Sequence, residues 1–153
     1  MNKLFILIGA ISLIVSCSGT KKLNQQKFDE KANKDILYGY CDLNGLTVPP
    51  FDEWYYAEFS TYEPDQEILS NIESTGGLSN VDITIVMGTW CSDSRREVPR
   101  FYKLFENLDY SAERIILINV DTKKEAKGTI VEKLNIEKVP TFIFQKEVRK
   151  SEE

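Results

Sequence analysis

The sequence predicts an α/β sandwich, a sheet with helices on both faces, and three observations carry that prediction. Residues 81–87 (VDITIVM) and 114–120 (RIILINV) are β-branched, nearly continuous apolar runs of the kind that forms buried strands. Between them, from about 94 to 108, Val98, Phe101, Leu104, Phe105 and Leu108 recur at helical spacing. Asp121 and Thr122 then offer caps for a second helix over 124–134 burying Ala126, Ile130, Val131 and Leu134, and 141–145 (TFIFQ) reads as a strand. Strand, helix, strand, helix, strand requires a sheet between helical layers. A length of 153 residues suits one such domain, and 42% hydrophobic with 11% aromatic residues is enough to fill its core.

Upstream of that pattern the chain opens as an address. Lys3 precedes an uncharged run of twelve residues, 4–15 (LFILIGAISLIV), too short for the roughly 20 residues that span a bilayer and suited to an exported signal. Ile14-Val15-Ser16-Cys17 resembles a bacterial lipobox, which implies cleavage after Ser16 and a lipid on Cys17. The expected organisation is therefore a signal peptide over 1–16, a lipidated cysteine with a polar, lysine-rich tether over 17–35, and a folded domain over 36–153. The protein is expected to hang from a membrane by that lipid and face the periplasm of a Gram-negative-type bacterium, where thiols meet an oxidising environment.

The first folded element is a short strand, 36–41, ending in the turn-prone Asp42-Leu43-Asn44-Gly45. Phe51, Tyr55 and Phe59 then recur at helical spacing within an aromatic stretch that also holds Trp54, Tyr56 and Tyr62, either a helical lid on the core or a surface on which a ligand stacks. Residues 65–74 read as an amphipathic helix with Ile68, Leu69 and Ile72 inward, closed by Gly76-Gly77.

Composition excludes several chemistries. There is no histidine, so no imidazole base, Cys-His dyad or histidine metal ligand is available. A formal charge of −5 disfavours nucleic acid as a partner. Cys17, Cys41 and Cys91 are too few and too scattered for a disulfide scaffold or a four-ligand metal site, and nothing calls for a cofactor. Cys41 suits a small buried hydrophobe, with a bridge to Cys91 as the alternative.

Cys91 lies where a strand passes into a helix, and there the free N–H groups and the helix dipole stabilise a thiolate. Arg95 and Arg96 add positive charge in the first turn, Asp93 opposes them, and Ser94 can donate a hydrogen bond to the sulfur. Trp90-Cys91-Ser92-Asp93-Ser94 resembles the thioredoxin-family active site, Trp-Cys-x-x-Cys, with the second cysteine replaced by serine. Pro99 stands where that family has a helix-kinking proline, Asn119-Val120-Asp121 resembles the end of its next strand, and 136–141 (IEKVPT) resembles its cis-proline loop. The resemblance covers about 65–146 and implies a thioredoxin-like sandwich whose backbone at Val139, Pro140 and Thr141 binds an extended substrate beside the sulfur.

Three departures shape the expected activity. The family's buried aspartate six residues before the cysteine is Ile85 here, its tryptophan four residues before is Met87, and Ser94 cannot resolve a mixed disulfide. The resemblance thus implies a single-cysteine protein that exchanges or isomerises disulfides of exported proteins or small thiols without efficient dithiol reduction. Catalysis is assigned to Cys91 and Ser94, with Trp90, Ser92, Asp93 and Arg95 flanking. The alternatives are a redox-inactive peptide-binding module and a truncated, inactive fragment, because the family's last strand and C-terminal helix have no counterpart after 146. Without them a sheet face stands open unless the aromatic stretch or a partner covers it.

Overall fold

The computed structural model describes residues 22–146. Five strands, β1 (Gln25–Asp29), β2 (Lys34–Cys41), β3 (Val81–Met87), β4 (Ile115–Asn119) and β5 (Thr141–Lys146), form one mixed sheet in the order β1-β2-β4-β3-β5. Four helices accompany them: α1 (Leu43–Leu46), α2 (Asp52–Thr61), α3 (Gln66–Ser74) and α4 (Ser92–Asn107). Only β3 and β4 run parallel, with α4 as their crossover; β2 joins β4, and β5 joins β3, antiparallel.

Alternation along the strands divides the core in two. Ile83, Ile85 and Met87 of β3, Ile115 and Leu117 of β4, and Leu37 and Cys41 of β2 point to one face, where α2 and α4 bury Tyr55, Val98, Tyr102 and Phe105 on them. Val86 and Ile118 point to the other, where Val120, Ala126, Val131 and Val139 close over them from connecting segments. Cys91 and Trp90 pack against this second cluster.

Three stretches differ from the sequence reading. Residues 25–35, assigned to the tether, form a hairpin: β1 pairs antiparallel with β2 from Gln25↔Tyr38 to Asp29↔Lys34. Its composition is polar because an edge strand with two wet faces needs few apolar groups. What fastens it is polar too. Asp29, 6% exposed, accepts from the Thr122 amide and hydroxyl at 3.0 Å, and Lys27 Nζ lies 2.9 Å from Asp121 Oδ2. Burial works against the Asp29 carboxylate, yet hydrogen bonds from Thr122, Ala32 and Lys31 outweigh it and hold its pKa below the ordinary value.

The helix expected over 124–134 does not form. The chain makes turns and one 3-10 turn, Ile130–Lys133, because Asp121 Oδ1 accepts from both the Lys123 and Glu125 amides and fastens a tight loop instead of a helical start. Gly128, at φ +76, breaks the remaining stretch. Ala126 and Val131 are buried as expected, whereas Ile130 is 40% exposed. In α3, capped by Asp65, Leu69 is buried but Ile68 is 53% exposed. The aromatic stretch forms α2 and packs beside α4, and the two helices together cover the first face of the sheet.

The expected signal peptide (1–16) and the lipidation site Cys17 lie outside the described residues, as does everything beyond 146. Among the described residues no helix is long and apolar enough to cross a membrane.

Candidate functional site

The loop from β3 to α4 is held from several directions. Thr89 Oγ1 accepts from the Leu37 amide at 3.2 Å, Trp90 Nε1 donates to the Val120 carbonyl at 2.9 Å, and the Cys91 amide donates to the Gly88 carbonyl at 2.9 Å. Gly88 is needed here: a Cβ at that position would strike the Trp90 indole, with Cε2 at 2.7 Å.

Cys91 is the N-cap residue of α4, with extended backbone (φ −87, ψ 126), but its side chain does not cap the helix. The Cys91 amide is used in the turn and its carbonyl accepts from Arg95; the residue is half-buried. Cys91 Sγ donates to the Val139 carbonyl at 3.4 Å, across 48 residues of sequence. The Val139–Pro140 bond is cis. Val139 is buried and Pro140 half-buried, and Thr141 opens β5 opposite Val86, with its hydroxyl turned back to the Lys138 carbonyl at 2.7 Å. The fold therefore brings Cys91, Trp90, Val139 and Pro140 together from two segments far apart in the chain.

Ser94 stands elsewhere in its bonding. Fully buried, it accepts from the Gly88 amide at 3.3 Å and so supports the loop from beneath. The expected hydrogen bond from Ser94 to the sulfur gives way to the contact with Val139. Ser92 and Asp93 are exposed, and Asp93 pairs with Arg96 at 3.3 Å. Arg95 lies over the Trp54 ring, 5.3 Å from its centroid.

Cys41 belongs to the opposite face of the sheet. It is 6% exposed, its sulfur donates weakly to the Gly39 carbonyl at 3.6 Å, and burial pushes its thiol up to about 11. Both cysteines are free, and their placement on different faces leaves Cys91 without a thiol partner among the described residues. No group of three or more carboxylates or thiols there is placed to hold a metal ion.

Sequence reasoning missed Lys34 and Thr89, and it left Trp54 undecided between lid and ligand surface. Two open hollows flank the Cys91 loop: one of about 290 Å³ lined by Lys34, Asp35, Pro50, Phe51, Trp54, Thr89 and Arg95, the other of about 230 Å³ reaching Ser92 by way of Trp54 and Arg95. The contact between Trp54 and Arg95 links elements 41 residues apart, and no local pattern announces it. No protein-family model matches the chain, and neither a curated protein nor a solved structure matches it.

What this arrangement can do follows from its parts. A half-exposed thiol at a helix N-terminus, beside a backbone carbonyl and an open surface, can be approached by a disulfide. With Ser94 buried and Cys41 on the far face, a mixed disulfide formed there has no thiol among the described residues to resolve it.

Proposed function

We propose that this chain is a thioredoxin-like protein of the single-cysteine type, held at a membrane by lipid on Cys17 and turned toward the periplasm, that forms mixed disulfides with exported proteins or small thiols. The observation that carries the reading is the approach of Cys91 Sγ to the Val139 carbonyl at 3.4 Å, at the start of a helix that follows a central strand. That carbonyl precedes a proline, as the resemblance implies for a backbone platform beside the sulfur.

In the reaction, the Cys91 thiol gives its proton to solvent and its sulfur attacks one sulfur of a substrate disulfide. A bond forms between Cys91 and that half, and the other half leaves as a thiolate. Cys91 is oxidised to the disulfide level and the leaving half is reduced. Release requires a second thiol from the substrate or from solution, which makes exchange and isomerisation the natural outcomes and net reduction slow.

The test is the alkylation rate of Cys91 in the full-length chain at pH 6, read by mass spectrometry of its peptide, together with disulfide-linked complexes trapped in cells. Faster labelling than a free cysteine peptide, and complexes lost in Cys91→Ser, are expected. Labelling no faster than the free peptide, with no trapped complexes, overturns the redox reading and leaves a binding module.

A further inference from the structure

We propose that Lys34, Trp54 and Arg95 form a subsite beside Cys91 that takes a carboxylate-bearing segment of the disulfide substrate. The proposal rests on the thiol-exchange reading above and adds to it the chemistry of what is bound.

Charge bookkeeping around the two hollows identifies the ions left over. Glu58 is held by Arg100, with Nη2 and Nε at 2.7 and 2.9 Å from Oε2. Arg96 is shared between Asp93 at 3.3 Å and Glu97 at 2.6 Å. Arg95 and Lys34 form no ion pair among the described residues, and the other unpaired ion lining the larger hollow is Asp35. That hollow therefore carries a positive excess beside a chain whose overall charge is −5. Unpaired cations in an otherwise acidic molecule attract an anionic ligand to the place where they stand.

The shape favours a peptide segment over a free inorganic ion. Pro50, Phe51 and Trp54 give the hollow an apolar wall, with Phe51 itself buried; Thr89 of this hollow and Ser92 of the smaller one beside it flank Cys91 in the chain. The Trp54 indole lies under the Arg95 guanidinium at 5.3 Å, so its planar fork is presented on an aromatic floor rather than left to wander. A guanidinium so placed suits the two oxygens of a carboxylate, with an apolar neighbour of the substrate against Pro50 and Trp54.

The experiment compares three small disulfides on the full-length chain: the dianionic 5,5′-dithiobis(2-nitrobenzoate), the neutral 2,2′-dithiodipyridine and the cationic cystamine. Each rate is followed by mass spectrometry of the Cys91 peptide and divided by the rate with a free cysteine peptide. A normalised preference for the anionic over the neutral probe of about five- to tenfold is expected, shrinking as salt is raised. Arg95→Glu should invert the order in favour of cystamine, and Lys34→Gln should lower the anionic preference by a smaller factor. Equal normalised rates for all three probes, or an anionic preference that survives Arg95→Glu, overturn the subsite while leaving the thiol reading intact. Failure of Cys91 to react with the neutral probe overturns the thiol reading itself, and the subsite with it.

Discussion

The two faces of the sheet are covered by different materials. One is roofed by helices: Tyr55 of α2 lies 6.3 Å from Tyr102 of α4, Phe101 of α4 stacks 4.3 Å from Phe142 of β5, and Phe105 meets Tyr110 at 5.1 Å. The other is roofed by loops and a 3-10 turn, with the smaller side chains of Val86, Val120, Ala126, Val131 and Val139 beneath. Cys41 sits in the first and Cys91 at the margin of the second. Bulk packing and thiol access are thereby separated: large apolar area is buried where rigid elements meet, and half-buried Cys91 stands beside the Val139 carbonyl.

Truncation on each face should break this comparison most forcefully. Phe105 is 2% exposed, and Phe105→Ala is expected to cost about 3–5 kcal/mol, from lost transfer free energy and the cavity left behind. Val131, 5% exposed, loses two carbon groups in Val131→Ala and should cost only about 1–2 kcal/mol. Urea unfolding of the two variants measures the difference. Similar losses would mean that the loop-covered face carries as much of the stability as the helical one.

The two cysteines sharpen the comparison through pH. Burial raises the Cys41 thiol from 9.0 to about 11. Below pH 9 both folded and unfolded chains keep the proton and stability is unaffected by this group. Between pH 9 and 11 the unfolded chain ionises while the folded one does not, so stability falls as pH rises, by roughly 2 kcal/mol at pH 10.5. Tyr55 and Tyr102, whose hydroxyls are also pushed up from 10.0 by burial, add to the loss from about pH 10 upward, where the unfolded phenols begin to ionise. Urea midpoints at pH 8 and 10.5 test this, since Cys41→Val should remove the thiol's share of the decline and keep the tyrosines' share. An unchanged decline would mean that Cys41 is not shielded.

The same contrast explains how much of the molecule its sequence discloses. Strands β3 and β4 and helix α4 are legible because large apolar faces impose a period on the residues that build them. Hairpin β1–β2 is half hidden, since β1 is polar and its anchor is a pair of bonds from Thr122 to Asp29, 93 residues away. Residues 124–134 mislead in the opposite sense: Ala126, Ile130, Val131 and Leu134 keep a helical period, but the Asp121 turn and Gly128 override it. At the site, Cys91 and Val139 are visible because the chemistry of a motif names them. Trp54 and Lys34 come from other elements to line a hollow that reaches Thr89 in the loop before Cys91, and only the folded chain puts them there.

The smallest effect concerns a residue where the helical face departs from its own rule. Asn119 ends β4 opposite Gly39 and beside Met87, fully buried; its Nδ2 and Oδ1 find no oxygen or nitrogen partner among the described residues, and the bond its side chain makes goes to the Cys41 thiol, a weak partner. A buried amide gives up its bonds to water on folding, and a thiol, a weak donor and acceptor, recovers little of them. Leucine has nearly the same shape and no such debt. Asn119→Leu is therefore expected to raise stability by about 1 kcal/mol, read as a higher urea midpoint with an unchanged denaturant slope. Loss of stability would show that the amide has a bonding role, and a changed slope would place the effect in the unfolded chain. Because Asn119 lies on the Cys41 side of the sheet, the alkylation rate of Cys91 should stay as it was; a rate that moved with this substitution would mean that the two faces are coupled through β4.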